Sequence, residues 1–336
     1  MILEERAELR SWLGDPPRHP DQPHGIYESD AEIVRLHDGC FLAVSVDAVA
    51  EEIVSGLFLD TYTMGWVTAM TGLADIAAVG ADPVGVLMTA VWDDSRTIAD
   101  RTRAAKGFAD ALRATGTVLL GGDTGGSEAT MLAATALGRT SDPPLMRVGA
   151  SDGDILCLTG RVGAGLVLAA RMLLGEEREE ELYRPQARLV EGSRLRRLAS
   201  ACTDASDGVL QAVGMLTSLN GLGASLDWNP ATLDDRAVTY LREKELPLWP
   251  LWISEIAELE LLLAVPECNR DAARAAVPSL NPIGRLTAES GVTVAVDGRS
   301  IPVDPHNLTS FVKTEEQSRL EQALDMLNEI RELGLP

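Results

Sequence analysis

Leu73-Ala74-Asp75-Ile76-Ala77-Ala78-Val79-Gly80-Ala81-Asp82-Pro83 is the stretch on which the reading of this chain turns. Its apolar residues continue a helical spacing that starts at Thr61, so a helix is expected over 61–79. Gly80 is a suitable stop, because glycine enters the left-handed conformation of a helix end without a steric penalty. Inside that apolar run stands Asp75. An ionised carboxylate taken out of water costs several kcal/mol unless it is paired or coordinated, so something must compensate it. A core arginine, a polar helix edge and a metal site would each suffice, and the helix alone does not choose between them.

Toward the N-terminus, a strand is expected over 41–47, and Ser45 and Asp47 share one of its faces because strand side chains alternate. Regular structure begins near Glu32, behind a loop over 14–25 rich in Pro, Asp and His, with a first helix before it. Toward the C-terminus come a strand over 84–91, a helix over 96–115 capped by Ser95, and a strand over 117–120. Gly121-Gly122 then leaves room for a ligand to approach the backbone beside Asp123, and a strand follows over 130–137. Pro143-Pro144 places a domain boundary near 140–150.

The second unit opens with a strand over 154–158 and the turn Thr159-Gly160-Arg161-Val162-Gly163-Ala164-Gly165, which reads either as an anion cradle or as a tight structural turn. Helices around 186–200 and 208–219 and strands around 224–228, 259–265 and 292–296 follow. Residues 314–333 read as an amphipathic helix with a solvated face. Asp204 and Asp207 flank Ala205-Ser206 ahead of the second of those helices, and Asp207 is either its N-cap or a ligand. Trp249 and Trp252 are expected to be core, with a pocket wall as the other reading.

The 336 residues suggest two domains, and 46% hydrophobic residues let each bury a core. A formal charge of -22 excludes broad electrostatic capture of nucleic acid or anionic membrane. Lysine occurs only at 106, 244 and 313, so phosphates must be handled by arginine, backbone amides and metal ions. The four cysteines form no CxxC pair, the N-terminus lacks a signal-peptide core, and Asp75, Asp82 and Pro83 interrupt the most apolar stretch. A cytoplasmic location without a membrane span is expected. No GxGxxG, P-loop, GxSxG or HExxH is present, so neither a dinucleotide fold nor covalent catalysis is indicated. Acidic residues at strand ends and helix starts, with few lysines to neutralise them, match the oxygen ligand sets that hold magnesium against phosphates.

Taken in order, Ser45-Val46-Asp47, the stretch from Leu73 to Pro83, Gly121-Gly122-Asp123-Thr124, Gly153-Asp154 through Thr159-Gly160, Arg184-Pro185 to Arg188, Asp204-Ala205-Ser206-Asp207-Gly208 and Ile283-Gly284 resemble the thiamine-monophosphate kinase family. That family is a branch of the aminoimidazole-ribonucleotide-synthetase (PurM-like) superfamily, and the likeness runs over about residues 25–311. It implies a two-domain α/β PurM-like fold: an ATP- and metal-binding sheet domain over 1–145 that dimerises, a C-terminal α/β domain over 146–311 and a terminal helix over 312–336. It also implies a magnesium-dependent enzyme that uses ATP on a small-molecule substrate and works as a homodimer. By the same resemblance Asp30, Ser45, Asp47, Asp75, Asp123 and Asp207 hold metal, Gly121, Gly122, Asp123 and Arg147 face the nucleotide, and Asp207 is catalytic. Asp204, Glu51 and Glu260 fall on the acceptor side.

The chain departs from the family at several of these places. Ser29 replaces an acidic ligand beside Asp30, Ala50-Glu51-Glu52-Ile53-Val54 stands where the family has Val-Glu-Gly-Val-His, and Thr68 stands for a lysine. Ile256-Ala257-Glu258-Leu259-Glu260 stands where it has Gly-Glu-Asp-Tyr-Glu. A phosphotransferase with an acceptor other than thiamine monophosphate is therefore expected. An ATP-dependent amide- or carboxylate-activating enzyme and a degenerate nucleotide binder are the alternatives.

Overall fold

The computed structural model describes residues 11–12, 14, 17–253, 256, 258–296 and 298–305. The expected helix over 314–333, and nearly all of the first one, lie outside them.

The N-terminal unit is one sheet under two long helices. Strand β1 (Glu32–Arg35) pairs antiparallel with β2 (Phe41–Ala48), a short helix α1 (Ala50–Val54) follows, and α2 (Thr61–Ala78) runs beneath the sheet. Asp60 caps α2 by accepting the Tyr62 amide at 3.0 Å, and Gly80, at φ 66°, takes the left-handed conformation that ends it. Then come β3 (Asp82–Trp92), α3 (Ile98–Thr115), β4 (Leu119–Gly126) and β5 (Met131–Thr140), in the sheet order β1-β2-β5-β3-β4 with only β3 and β4 parallel.

Two details differ from the sequence reading. Thr97, not Ser95, caps α3, because Thr97 and Asp100 bond each other's backbone in a capping box while the Ser95 amide turns onto Asp93 at 2.8 Å. Gly121-Gly122-Asp123 lies inside β4 and not after a strand. The chain continues because β3 comes so close that a Cβ at Gly122 would stand 2.0 Å from the Met88 carbonyl oxygen.

The C-terminal unit contains β6 (Ile155–Leu158), α4 (Ala164–Leu173), α5 (Leu189–Leu195), β7 (Ala201–Asp204), α6 (Val209–Asn220) and β8 (Gly223–Asp227). It continues with α7 (Asp235–Glu243), β9 (Leu261–Val265), α8 (Arg270–Ala276), β10 (Asn281–Thr287), β11 (Val292–Val296) and β12 (Arg299–Val303). The sheet order is β12-β11-β8-β10-β6-β9-β7. Sequence reading misses β7, β10 and β12. β10 carries Pro282 and Gly284, which are absorbed by a register shift between them, and Pro302 is tolerated because β12 is an edge strand. The helix expected over 186–200 shortens to α5.

One hydrophobic core joins the units. Cys157, Cys202, Leu261 and Leu263 point from the C-terminal sheet into the cluster that holds α2, while Leu156, Leu158, Leu262 and Ala264 face a second cluster on the opposite side. The period of two along β6 and β9 therefore gives that sheet two buried faces. Gly192 of α5 lies so near α2 that a Cβ there would be 2.0 Å from the Ala77 carbonyl oxygen. Trp249 and Trp252 are fully buried, each within 6 Å of Trp228 between ring centroids, and serve as core.

Candidate active site

The seam between the sheets collects the acids. Asp30 precedes β1, Asp75 sits on α2 and Asp204 ends β7, and one carboxylate oxygen from each lies within 4.8 Å of the others. Ser45 points inward from β2 and its hydroxyl donates to Asp75. Asp30 accepts from the Arg147 guanidinium, from the Asp204 amide at 3.2 Å and from the Thr203 hydroxyl at 3.4 Å. The Arg147 Nε also donates to Thr203 Oγ1 at 3.2 Å. One guanidinium thus faces three carboxylates.

The electrostatic result is a set of acids that cannot all ionise unaided. Burial pushes Asp75 well above the usual carboxylate range, and the charges of Asp204, Asp30 and Asp47 add to it. Burial likewise raises Asp204 well above that range, Asp30 and Asp207 adding and Arg147 opposing. Asp30 is raised by burial against the pull of Arg147. Asp47, on β2, is raised by burial despite the Ala48 amide and Thr71, and it feels Asp207.

The expected residues separate on this map. Asp30, Ser45, Asp75 and Asp204 converge, and Asp47 and Asp207 adjoin them. Asp207 is exposed and does not cap α6, whose N-cap position is Gly208. Asp123 is exposed on β4, opposite Thr89, outside the group of three, and Gly121 and Gly122 precede it in the same strand. Arg147 is committed to Asp30. Glu51 is exposed on α1.

Glu260 is a buried partner of Arg188, Nε to Oε2 at 2.9 Å, and accepts from Thr159 Oγ1 at 2.6 Å. The glycine-rich turn beside it is occupied by a carboxyl of the chain's own: the Gly165 amide donates to Glu258 at 2.9 Å, and a Cβ at Gly165 would stand 2.0 Å from the Ile256 carbonyl oxygen.

Sequence reasoning passed over Glu52. Its Oε2 is buried with no hydrogen-bond partner among the described residues, and burial, followed by Asp47, Glu51 and Asp207, pushes its carboxyl up to about 7. Its signal was present, since a Glu replaces the family's glycine, but a helix of five residues gives no periodicity to show which way it faces.

Two sheets joined through one core, with carboxylates converging in the seam, define a two-domain protein of the AIR-synthase type. Residues 28–140 match the N-terminal domain of AIR synthase related proteins and residues 151–297 the C-terminal domain, and the chain belongs to that family. Among curated relatives, thiamine-monophosphate kinase of Halobacterium salinarum is 30% identical, covering 90% of this chain and 99% of its own. The Salmonella typhimurium enzyme is 28% identical, over 90% and 92%. Among solved structures, AaThiL complexed with AMPPCP and TMP superimposes with a TM-score of 0.75 at 19% identity, over 89% and 94% of the chains. Escherichia coli HypE, a hydrogenase maturation protein, does so at 0.68 and 17%, over 95% and 100%. No helix among the described residues is long and apolar enough to cross a membrane.

Proposed function

We propose that this ATP-dependent kinase is a magnesium-requiring phosphotransferase that acts on a small-molecule acceptor. The observation that carries the reading is the convergence of Asp30, Asp75 and Asp204 against a single arginine. Oxygen donors that repel one another in a buried seam suit a hard divalent cation, which removes the penalty each imposes on the others. Bound there, magnesium would supply charge neutralisation for the phosphoryl oxygens of ATP.

Each residue has a part in this proposal. Asp30, Asp75 and Asp204 hold the cation, Ser45 orients Asp75, and Asp47 and Asp207 at the rim complete the ligand set. Arg147 fixes Asp30 and faces the nucleotide phosphates, while Gly121, Gly122 and Asp123 of β4 lie along them. No protein nucleophile is required, because the chemistry is positioning and charge stabilisation.

The acceptor is a small molecule of which thiamine monophosphate, the substrate named for the curated relatives, is the first to test. Val54, exposed on α1 in place of the family's histidine, and the buried pair Glu258 and Glu260 argue for a different preference.

Calorimetric titration with a non-hydrolysable ATP analogue, with and without magnesium, tests the reading. Magnesium-dependent binding is expected in the wild type and should weaken at least about 100-fold in Asp75→Asn. The same substitution should raise the metal-free melting temperature, since it removes a carboxyl whose ionisation burial, Asp204 and Asp30 all oppose in the folded chain. No binding by the wild type at millimolar analogue would overturn the proposal.

A further inference from the structure

The segment 141–150, between β5 and β6, carries Arg147 into the seam and is bonded to both units. On the N-terminal side, the Leu145 amide donates to the Val79 carbonyl oxygen at 3.0 Å and the Arg147 amide to that of Glu28 at 2.8 Å. From the C-terminal unit, the Cys202 amide donates to the Met146 carbonyl oxygen at 2.9 Å. Backbone bonds thus fix the entry to Arg147.

The exit is held by a side chain, that of Asn220, the last residue of α6. Its Oδ1 accepts the amides of Gly149 at 2.8 Å and Ala150 at 3.0 Å, and its Nδ2 donates to the carbonyl oxygens of Arg147 and Leu216, each at 2.8 Å. Two donors and two acceptors around one carboxamide leave it a single orientation, since a flipped amide would set N–H against N–H and oxygen against oxygen. Gly149 permits this arrangement. At φ 113° it turns two successive amides onto one oxygen, and a Cβ there would stand 2.8 Å from the Ser200 carbonyl oxygen.

The consequence falls on Arg147. With its amide bonded to Glu28 and its carbonyl to Asn220, the peptides on both sides of this residue are fixed, and with them the direction in which its side chain leaves the backbone. The guanidinium reaches Asp30 and Thr203 with the side chain only 13% exposed. Helix α6 follows directly on Asp207 and Gly208 and ends at Asn220, so one helix connects the rim of the seam to the segment that carries its arginine.

We propose that Asn220 is a positioning residue for Arg147: its carboxamide fixes the peptide after Arg147 and so aims the guanidinium at Asp30. A carboxylate at this position would lack the donor for the Arg147 carbonyl, and a hydroxyl could not serve two donors and two acceptors at once. The consequence for nucleotide binding rests on the role proposed above for Arg147.

The reactivity of Arg147 toward phenylglyoxal, which modifies accessible guanidiniums, tests this in the full chain, with the modified site read by mass spectrometry. In Asn220→Ala the Arg147 rate should rise about tenfold. Asn220→Asp should raise it as well, because it keeps an acceptor for Gly149 and Ala150 but loses the donor to Arg147. Asn269→Ala, which removes a similar bond to the Leu198 carbonyl oxygen at 2.9 Å elsewhere in the C-terminal unit, should leave the rate unchanged. Titration with the ATP analogue and magnesium then separates positioning from general damage. Asn220→Ala should weaken binding about tenfold in the wild-type background and have no further effect in Arg147→Ala. An unchanged Arg147 rate in Asn220→Ala, a wild-type rate in Asn220→Asp, an equal rise in Asn269→Ala, or equal losses of binding in both backgrounds would overturn the proposal. A wild type that binds no analogue would reject the kinase reading, while the arginine reactivities would still decide the role of Asn220.

Discussion

Glu258 and Asp75 are both carboxylates withheld from water, and the chain settles them differently. Asp75 stands among other acids, which a cation would resolve. Glu258 instead accepts the Gly165 amide with no arginine bonded to it among the described residues, and burial pushes its carboxyl up to about 8 from an ordinary 4.5. A raised carboxyl pKa has a definite sign. Below about pH 4.5 folded and unfolded chains both carry the proton and the group contributes nothing. Between there and about 8 the unfolded chain releases a proton the folded chain keeps, so stability falls as pH rises, and above 8 the penalty is constant. Glu258→Gln should therefore be more stable than the wild type by a few kcal/mol at pH 8.5 and nearly equal to it at pH 5, as measured by urea denaturation at the two pH values. A gap that does not depend on pH would contradict the assignment. Asp75 could be singled out in the sequence because an acid in an apolar helix breaks its pattern. Glu258 could not, since Glu258-Leu259-Glu260 alternates like an ordinary half-exposed strand.

Helices α2 and α3 touch through paired glycines. A Cβ on Gly65 would stand 1.9 Å from the Ala104 carbonyl oxygen, and one on Gly107 would stand 2.0 Å from that of Tyr62, so each glycine admits the other helix's backbone. Gly65→Ala would improve intrinsic helix propensity by about 1 kcal/mol, yet the added methyl forces the helices apart, and overpacking of this kind costs about 1–3 kcal/mol or more. A net loss of stability is expected in thermal melts. Magnesium binding should weaken with it, because α2 carries Asp75. An alanine variant as stable as the wild type would show that the crossing relaxes freely. Periodicity shows both helices from sequence, but it does not show that they cross at these glycines. The same limit hid β4, whose Gly-rich run is a strand only because β3 lies beside it.

The whole molecule leaves one face of the N-terminal sheet apolar. Val46 is 71% exposed on β2 and Leu87 38% on β3, both in register with Thr135 of β5, while the helices cover the opposite face. An apolar sheet face of this kind marks an interaction surface, and a second copy of the chain is the occupant proposed here, in line with the homodimer the resemblance implies. Val46→Lys should shift sedimentation from dimer to monomer with an unchanged circular dichroism spectrum. A wild-type protein that sediments as a monomer at tens of micromolar would reject the dimer.

The sequence by itself determined the build of the chain as two α/β units, the long helices of the first unit, and the acids that meet in the seam. These follow from patterns within a turn or a strand, where residue spacing alone decides which face a side chain takes. Only the tertiary structure decided that Asp204 joins Asp30 and Asp75 as a close trio while Asp123 stays on an exposed strand, and that Arg147 is spent on Asp30. Asp30 and Asp204 lie 174 residues apart, and their meeting depends on α2 packing against both sheets through one shared core. No local pattern encodes a contact of that separation, because packing of the whole chain creates it.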